Sequence, residues 1–522
     1  MSRMTGAQSL VRSMKREGIR VVFGVPGAGQ YEAVDAIWDT PDVRYLSVRH
    51  EQATTYMADG YARAGGGIAG AIVVPGPGLF NALAGMATAS DASSPMLVIT
   101  SVWPFGDDAP EDESYGSIAR WTARIDRPAQ APEIVHEAMR RMKTGRPGPV
   151  LLQVPWSTLA ASEEVDLLQP QAYEGPVGDP NRIRQAAQIL LDSRAPLILA
   201  GGGIHSANAA DALLSVAEHL QAPVVTSTTG KGAISDEHPL ALGYAELAYP
   251  PLREFLWKRD VVLAVGTRTR FKDRPDGQRF LKIDIDEGRA AGSSPLDLDI
   301  IGDARAVLAT LYQALRSASP LEDSVSQEIA SLQQERFAPH NQLEPQRSLM
   351  NAVRQAVPHD GVVVQGMNQM GYYSRNYLPV HVSRTYLTAS YHGTLGHAFP
   401  VGLGAKIARP DRAVVVLSGD GGFLYNSQEL ATAVQHQIPV VVVVFNDNAY
   451  GNVLRAQLEK FDGHVLGSRL HNPDFAALAR SYGARGVRAM GAAELKAAIQ
   501  DGLQQKVPTL VEVPVGEMER VY

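Results

Sequence analysis

The stretch Val414–Asn452, VVVLSGDGGFLYNSQELATAVQHQIPVVVVVFNDNAYGN, decides the fold. An apolar run from Ala413 to Leu417 reaches Ser418-Gly419-Asp420-Gly421-Gly422. A helical segment follows, and a second apolar run, Val440 to Phe445, reaches Asn446-Asp447-Asn448. Both runs are short, rich in valine and bounded by turn residues, which is the pattern of buried parallel strands. Acidic and amide side chains therefore stand where two strands end. In an open parallel sheet that edge is where ligands bind.

The rest of the chain repeats this alternation. Val21–Phe23 leads to a glycine turn, Gly24-Val25-Pro26-Gly27-Ala28-Gly29, and Tyr45–Val48 leads to Arg49-His50-Glu51. Ala69–Val74 leads to Pro75-Gly76-Pro77-Gly78, and Val150–Val154 closes the segment. A second set of strands ends in Gly201-Gly202-Gly203 and Gly266, and a third begins at Val362–Val364. The spacing predicts three consecutive α/β domains, each an open parallel sheet: residues 1–160, 181–330 and 345–522. A linker is expected over 161–180 and a loop over 101–117. The first and third segments share a loose similarity of plan.

Composition narrows the function classes. A chain of 522 residues exceeds a single core. It contains no cysteine, which excludes disulfides, thiolate catalysis and cysteine-ligated metal centres. The net charge of -7, with basic residues dispersed, gives no reason to expect nucleic acid. No apolar stretch suits a bilayer span, and the N-terminus lacks the apolar core of a leader, so a cytoplasmic location is expected.

The strand ends carry the chemistry. Glycines around Asp420 permit a tight turn and let main-chain N–H groups approach an anion. Asp420 repels a phosphate unless a hard cation lies between them. Asp447, just past the next apolar run, could flank the same Mg²⁺, with the Ala449 carbonyl completing the protein ligands. Two loop aspartates that merely cap helices are the plainer alternative. Glu51 opens a helix of small and apolar residues. It reads either as a carboxylate stabilised by the helix dipole or as an acid positioned against a ligand.

These motifs, in this order, resemble the thiamine-diphosphate enzymes of the acetolactate synthase, pyruvate oxidase and benzoylformate decarboxylase type, over essentially the whole chain. Gly419-Asp420-Gly421 through Asn446-Asp447-Asn448 is similar to their metal-diphosphate signature, with Asp447 where the pattern usually has asparagine. Arg49-His50-Glu51 resembles the motif whose glutamate contacts the aminopyrimidine. The resemblance implies Glu51 as the catalytic residue at the pyrimidine N1′, favouring the imino tautomer that makes the cofactor its own base. It implies Asp420, Asp447 and Ala449 around Mg²⁺, and Gly419, Gly421, Gly422, Asn448, Asn368 and Gln369 near the diphosphate. Gly393 would accept from the 4′-amino group, and Leu395 would prop the cofactor in its bent shape.

Gln30, Val74, Asn452, Leu454 and Gln457 are the candidate substrate-pocket residues. The implied activity is a carboligase or lyase acting on 2-oxo acids or 2-hydroxy ketones through an enamine. A non-oxidative 2-oxo acid decarboxylase is the nearest alternative, and an FAD-linked oxidase or a catalytically silent relative is more remote. Val74-Pro75 stands where related decarboxylases often place a histidine, and Ala456 stands near the position where acetolactate synthases place a tryptophan. The central domain lacks the glycine-rich continuation after Leu242-Gly243, so FAD is not expected. The resemblance implies a homodimer or homotetramer with each active site at a subunit interface.

Overall fold

The computed structural model describes residues 1–102, 117–268, 271, 273–287, 296–321 and 325–520. Most of the loop expected over 101–117 lies outside them. Twenty strands are found among the described residues. In the first third they are β1 (Ser2–Thr5), β2 (Val21–Gly24), β3 (Arg44–Ser47), β4 (Gly70–Val73), β5 (Met96–Val102), β6 (Trp121–Arg124), β7 (Pro149–Pro155) and β8 (Ser162–Val165). The middle holds β9 (Pro196–Ala200), β10 (Val224–Thr226), β11 (Ala241–Tyr244), β12 (Val261–Val265), β13 (Arg279–Asp284) and β14 (Leu298–Ile301). The last third holds β15 (Val362–Gln365), β16 (Tyr386–Thr388), β17 (Val414–Gly419), β18 (Val441–Asn446), β19 (Arg485–Arg488) and β20 (Thr509–Pro514).

Three six-stranded sheets result, ordered β3-β2-β4-β5-β7-β6, β11-β10-β9-β12-β13-β14 and β16-β15-β17-β18-β20-β19. Every pairing within them is parallel. Counted within each domain, the first and third sheets have one order, 2-1-3-4-6-5, so the similarity of plan is a shared topology. The central sheet runs 3-2-1-4-5-6. The crevice of such a sheet opens where the strand order reverses, between β15 and β17 in the third domain and between β2 and β4 in the first. The two valine runs read first from the sequence are β17 and β18, paired from Val415↔Val441 to Gly419↔Phe445. Their hydrophobic residues are buried on both faces, which explains the lack of alternation.

One short addition departs from the sequence reading. Part of the expected linker forms β8, which pairs antiparallel with β1 at the N-terminus. Its alternating polar residues, Ser162-Glu163-Glu164-Val165, hide a strand that packs on one side only.

The first and third domains share a hydrophobic core running from Phe23 and Tyr56 to Val401 and Phe423. Helix Glu51–Tyr61 crosses helix Ala398–Ala408 with backbones nearly touching: a Cβ on Gly60 would overlap the Val401 carbonyl, and one on Gly404 would overlap that of Met57. The small residues noticed on the first helix are thus the condition for this approach. The central domain is tied to the third by buried Arg336, which donates to the Leu242 carbonyl at 3.2 Å and to Asn376 Oδ1 at 2.8 Å.

Candidate active site

A cleft of about 250 Å³ lies at the β15/β17 reversal. Eleven of the residues expected at the site line it: Asn368, Gln369, Gly393, Leu395, Gly419, Asp420, Gly421, Gly422, Asp447, Ala449 and Asn452. They arrive from loops far apart in sequence because β15, β17 and β18 are adjacent and parallel and end on the same edge.

The glycines have distinct reasons. A Cβ on Gly421 would come within 2.5 Å of the Tyr450 ring. One on Gly419 would lie 3.0 Å from the Asn368 Cβ. A Cβ on Gly422 would make only ordinary contacts, with Ser418 Oγ at 3.7 Å and the Leu395 side chain at 3.8 Å. Gly393 has φ of 62°, a left-handed conformation suited to glycine.

Asp420 and Asp447 face one another. Burial pushes both carboxyls above the usual carboxylate range, and for Asp447 the neighbouring Asp420 charge adds to the effect. Asn472 Nδ2 donates to Asp420 Oδ2 at 2.6 Å and to Asn446 Oδ1 at 2.9 Å, while its own Oδ1 is buried without a hydrogen-bond partner. Two facing carboxylates, Asp420 buried and Asp447 half-buried, and a backbone carbonyl at Ala449 form an all-oxygen donor set. Such a set fits a hard divalent cation. The bare glycine turn beside it could take a diphosphate bridged through that ion. The residues present therefore fit a metal-diphosphate group.

Six expected residues are not among those lining the cleft, three in the third domain and three in the first. Asn448 is exposed with φ of 54°, and its Oδ1 accepts from Asn472 at 3.3 Å. Leu454 is buried in packing. Gln457 donates to the Leu466 carbonyl at 2.9 Å and accepts from Ser468 Oγ at 2.5 Å, which directs it to the loop beyond its helix. Sequence position sets these residues near the site, but a left-handed φ at Asn448 and the side-chain direction along helix Gly451–Lys460 at Leu454 and Gln457 turn them from its lining.

A second cluster forms in the first domain. Asn81 Nδ2 donates to Glu51 Oε2 at 3.0 Å. A Cβ on Gly78 would clash with Val74 Cγ2 at 2.5 Å and would lie 3.4 Å from Glu51 Oε1, so glycine there makes room for Val74 beside the carboxylate. Gln30 is buried and donates to the Val73 carbonyl. Glu51, Val74 and Gln30 thus come together, but none lines the chain's own Asp420 cleft.

Glu429, which the sequence reading passed over, fixes the approach to Glu51. It is fully buried, and its carboxylate accepts from the Arg49 N–H at 3.1 Å, the His50 N–H at 3.0 Å and Thr432 Oγ1 at 2.5 Å. Burial pushes its pKa up to about 7. A carboxyl raised in the folded state takes up its proton more readily than in the unfolded chain. Its favourable contribution is therefore complete below the unfolded value of about 4.5 and is lost as pH rises through about 7. Relative to Glu429→Gln, the wild-type melting temperature is expected to fall between pH 5 and pH 8. Parallel melting curves for the two proteins would contradict this.

Comparison with known proteins agrees with this arrangement. The N-terminal, central and C-terminal domains of the thiamine pyrophosphate enzymes match residues 4–117, 183–311 and 366–513. A probable acetolactate synthase large subunit of Methanocaldococcus jannaschii is 31% identical, covering 99% of this chain and 93% of its own. A probable 2-ketoarginine decarboxylase of Pseudomonas aeruginosa is 33% identical, over 98% and 94%. The acetolactate synthase isozyme 3 large subunit of Escherichia coli is 30% identical, over 100% and 96%. With three domains in family order and a cleft whose donors suit a metal-bound diphosphate, the chain belongs to the thiamine pyrophosphate (thiamine diphosphate) enzymes.

Proposed function

We propose that the protein is a thiamine-diphosphate- and Mg²⁺-dependent carboligase or lyase acting on 2-oxo acids or 2-hydroxy ketones. The observation that carries this reading is the facing Asp420–Asp447 pair beside the glycine turn, at one strand edge with Leu395. When bound, thiamine diphosphate supplies an electron sink for cleaving or forming a bond next to a carbonyl. Asp420, Asp447 and the Ala449 carbonyl hold Mg²⁺. Main-chain groups at Gly421 and Gly422, with Asn368 and Gln369, surround the diphosphate. Leu395 supports the rings, and Glu51 holds a proton at the aminopyrimidine N1′.

Glu51 lies outside the cleft of its own chain. The site is therefore completed by a second copy, whose first domain covers this chain's third domain, in a homodimer or a larger homo-oligomer. Among the described residues no helix is long and apolar enough to cross a membrane.

Carboligation is favoured over aldehyde release by the apolar reacting end. No histidine lines the cleft among the described residues, and Val74 stands beside Glu51. With few proton donors, a nucleophilic carbon lives long enough to meet a second carbonyl. FAD is not needed in this reading. The central glycine turns pack on one another, a Cβ on Gly203 falling 2.6 Å from the Gly266 Cα. Arg268 crosses their mouth to Asp91 Oδ1 at 2.6 Å and lies over the Tyr391 ring at 4.3 Å.

Incubating the protein with thiamine diphosphate, Mg²⁺ and 2-oxo acids tests the reaction. Hydroxy-ketone products with CO₂ are expected. Aldehyde with CO₂ as the sole products would assign a decarboxylase, and a flavin spectrum in the purified protein would reopen the oxidase reading.

A further inference from the structure

Two helices leave the cofactor cleft side by side. Gln369, Tyr372 and Arg375 are spaced i, i+3, i+6 on helix Gln369–Tyr377. Asn452, Arg455 and Glu459 are spaced i, i+3, i+7 on helix Gly451–Lys460. Such spacing puts each set on one face. Between the faces lies a second cavity of about 370 Å³, which shares Gln369, Tyr372 and Asn452 with the first. Gln369 Nε2 donates to Asn452 Oδ1 at the neck where the two meet. Ala456 lies on the wall and presents only a methyl group.

This side cavity is basic. Arg375, Arg455, Lys460 and Arg520 line it against two carboxylates, Glu246 and Glu459, in a chain whose net charge is -7. Glu246 already accepts from the Ala248 N–H at 3.1 Å. Glu459 lies 4.0 Å from Arg455, whose guanidinium also donates to the Met518 carbonyl. Arg375 is different. It is partly buried, its Nε is buried without a hydrogen-bond partner, and it forms no ion pair among the described residues. Its Nη2 donates weakly to Met367 Sδ at 4.0 Å, and its guanidinium lies 5.1 Å from the Tyr372 ring. A guanidinium that lines a cavity without a carboxylate partner offers N–H donors of the kind that grip a planar anion.

We propose that this cavity binds a distal carboxylate of the substrate, so that the preferred substrate is a dicarboxylic 2-oxo acid, with Arg375 as the specificity-determining residue. The proposal rests on the reading of the protein as a thiamine-diphosphate enzyme for 2-oxo acids. The 2-oxo group reacts in the Asp420 cleft, the chain passes the Gln369–Asn452 neck, and the far carboxylate meets Arg375. Arg455 and the outer cations add attraction, and a cationic tail is repelled.

The test has two arms. With the loaded holoenzyme, 2-oxoglutarate and 2-oxoadipate are compared with 5-methyl-2-oxohexanoate, which replaces the far carboxylate of 2-oxoglutarate by an isopropyl end. The guanidinium-bearing 5-guanidino-2-oxopentanoate is the third comparison. The better dicarboxylic acid is expected to exceed both others by about 30-fold or more in kcat/KM. Arg375→Leu should remove that preference chiefly through KM, and Arg375→Lys should restore part of it. Independently of turnover, calorimetry with glutarate should show binding to the wild-type holoenzyme and about 30-fold weaker binding to Arg375→Leu. Neutral or cationic acids handled as well as dicarboxylic ones, or glutarate binding unchanged by the substitution, overturns the proposal. If no 2-oxo acid of any charge is consumed, the functional reading fails instead, while the glutarate titration still decides the anion site.

Discussion

Glu51→Gln is expected to lower kcat by about 10²–10³-fold at saturating cofactor, the range lost with a positioned proton-transfer group. Glutamine fills the same volume and can still meet Asn81, which now donates to Glu51 at 3.0 Å. Fold and thiamine diphosphate binding should therefore survive, and calorimetry should find cofactor affinity within about tenfold of wild type. The loss is specific because the carboxylate is held by its surroundings: Glu429 fixes the backbone at Arg49 and His50, and Asn81 holds Oε2. A variant turning over at the wild-type rate would remove Glu51 from the reaction.

Asp420→Ala attacks the other end. It removes one of two facing carboxylates and leaves Asn472 without its 2.6 Å acceptor. Mg²⁺-dependent binding of thiamine diphosphate is expected to weaken by about 100-fold or more, since each hard-cation ligand is both charge and geometry. Asp447→Asn separates two effects. In the metal-free protein it relieves the repulsion that, with burial, raises the Asp447 pKa, so the variant should melt higher than wild type. In Mg²⁺ it keeps an oxygen ligand but loses a charge, so affinity for the ion should fall. Titrations with and without Mg²⁺ read both signs. A metal-free variant less stable than wild type would mean that the pair does not repel.

Local patterns carried much of this into the sequence. Val414–Leu417 and Val441–Phe445 announce strands buried on both faces, and a glycine or acid-amide turn after each marks the strand edge. Those signals are short-range, and three sheets with their turns follow from them. What escaped is long-range. Asn472 reaches Asp420 across 52 residues and Glu429 reaches Arg49 across 380, so neither has a neighbour in sequence that betrays it. Arg375 carries no signal in its own stretch of sequence; only the facing helix Gly451–Lys460 makes it the lining of a cavity. Asn448, Leu454 and Gln457 were misplaced for the opposite reason. They are close in sequence to the right turn, but a left-handed φ at Asn448 and the direction of the following helix set their side chains.

The two clusters, Glu51 with Val74 and Asp420 with Asp447, are separate within one chain, and the proposed chemistry needs both at once. Chains carrying Glu51→Gln and chains carrying Asp420→Ala, each inactive alone, can be co-expressed with different tags and purified as a hybrid. A hybrid dimer has one doubly altered site and one wild-type site if each site is shared between chains, so about half of wild-type activity per dimer is expected. A properly assembled hybrid with no activity, beside an active doubly tagged wild-type dimer, would contradict a site built from Glu51 of one chain and Asp420 of the other.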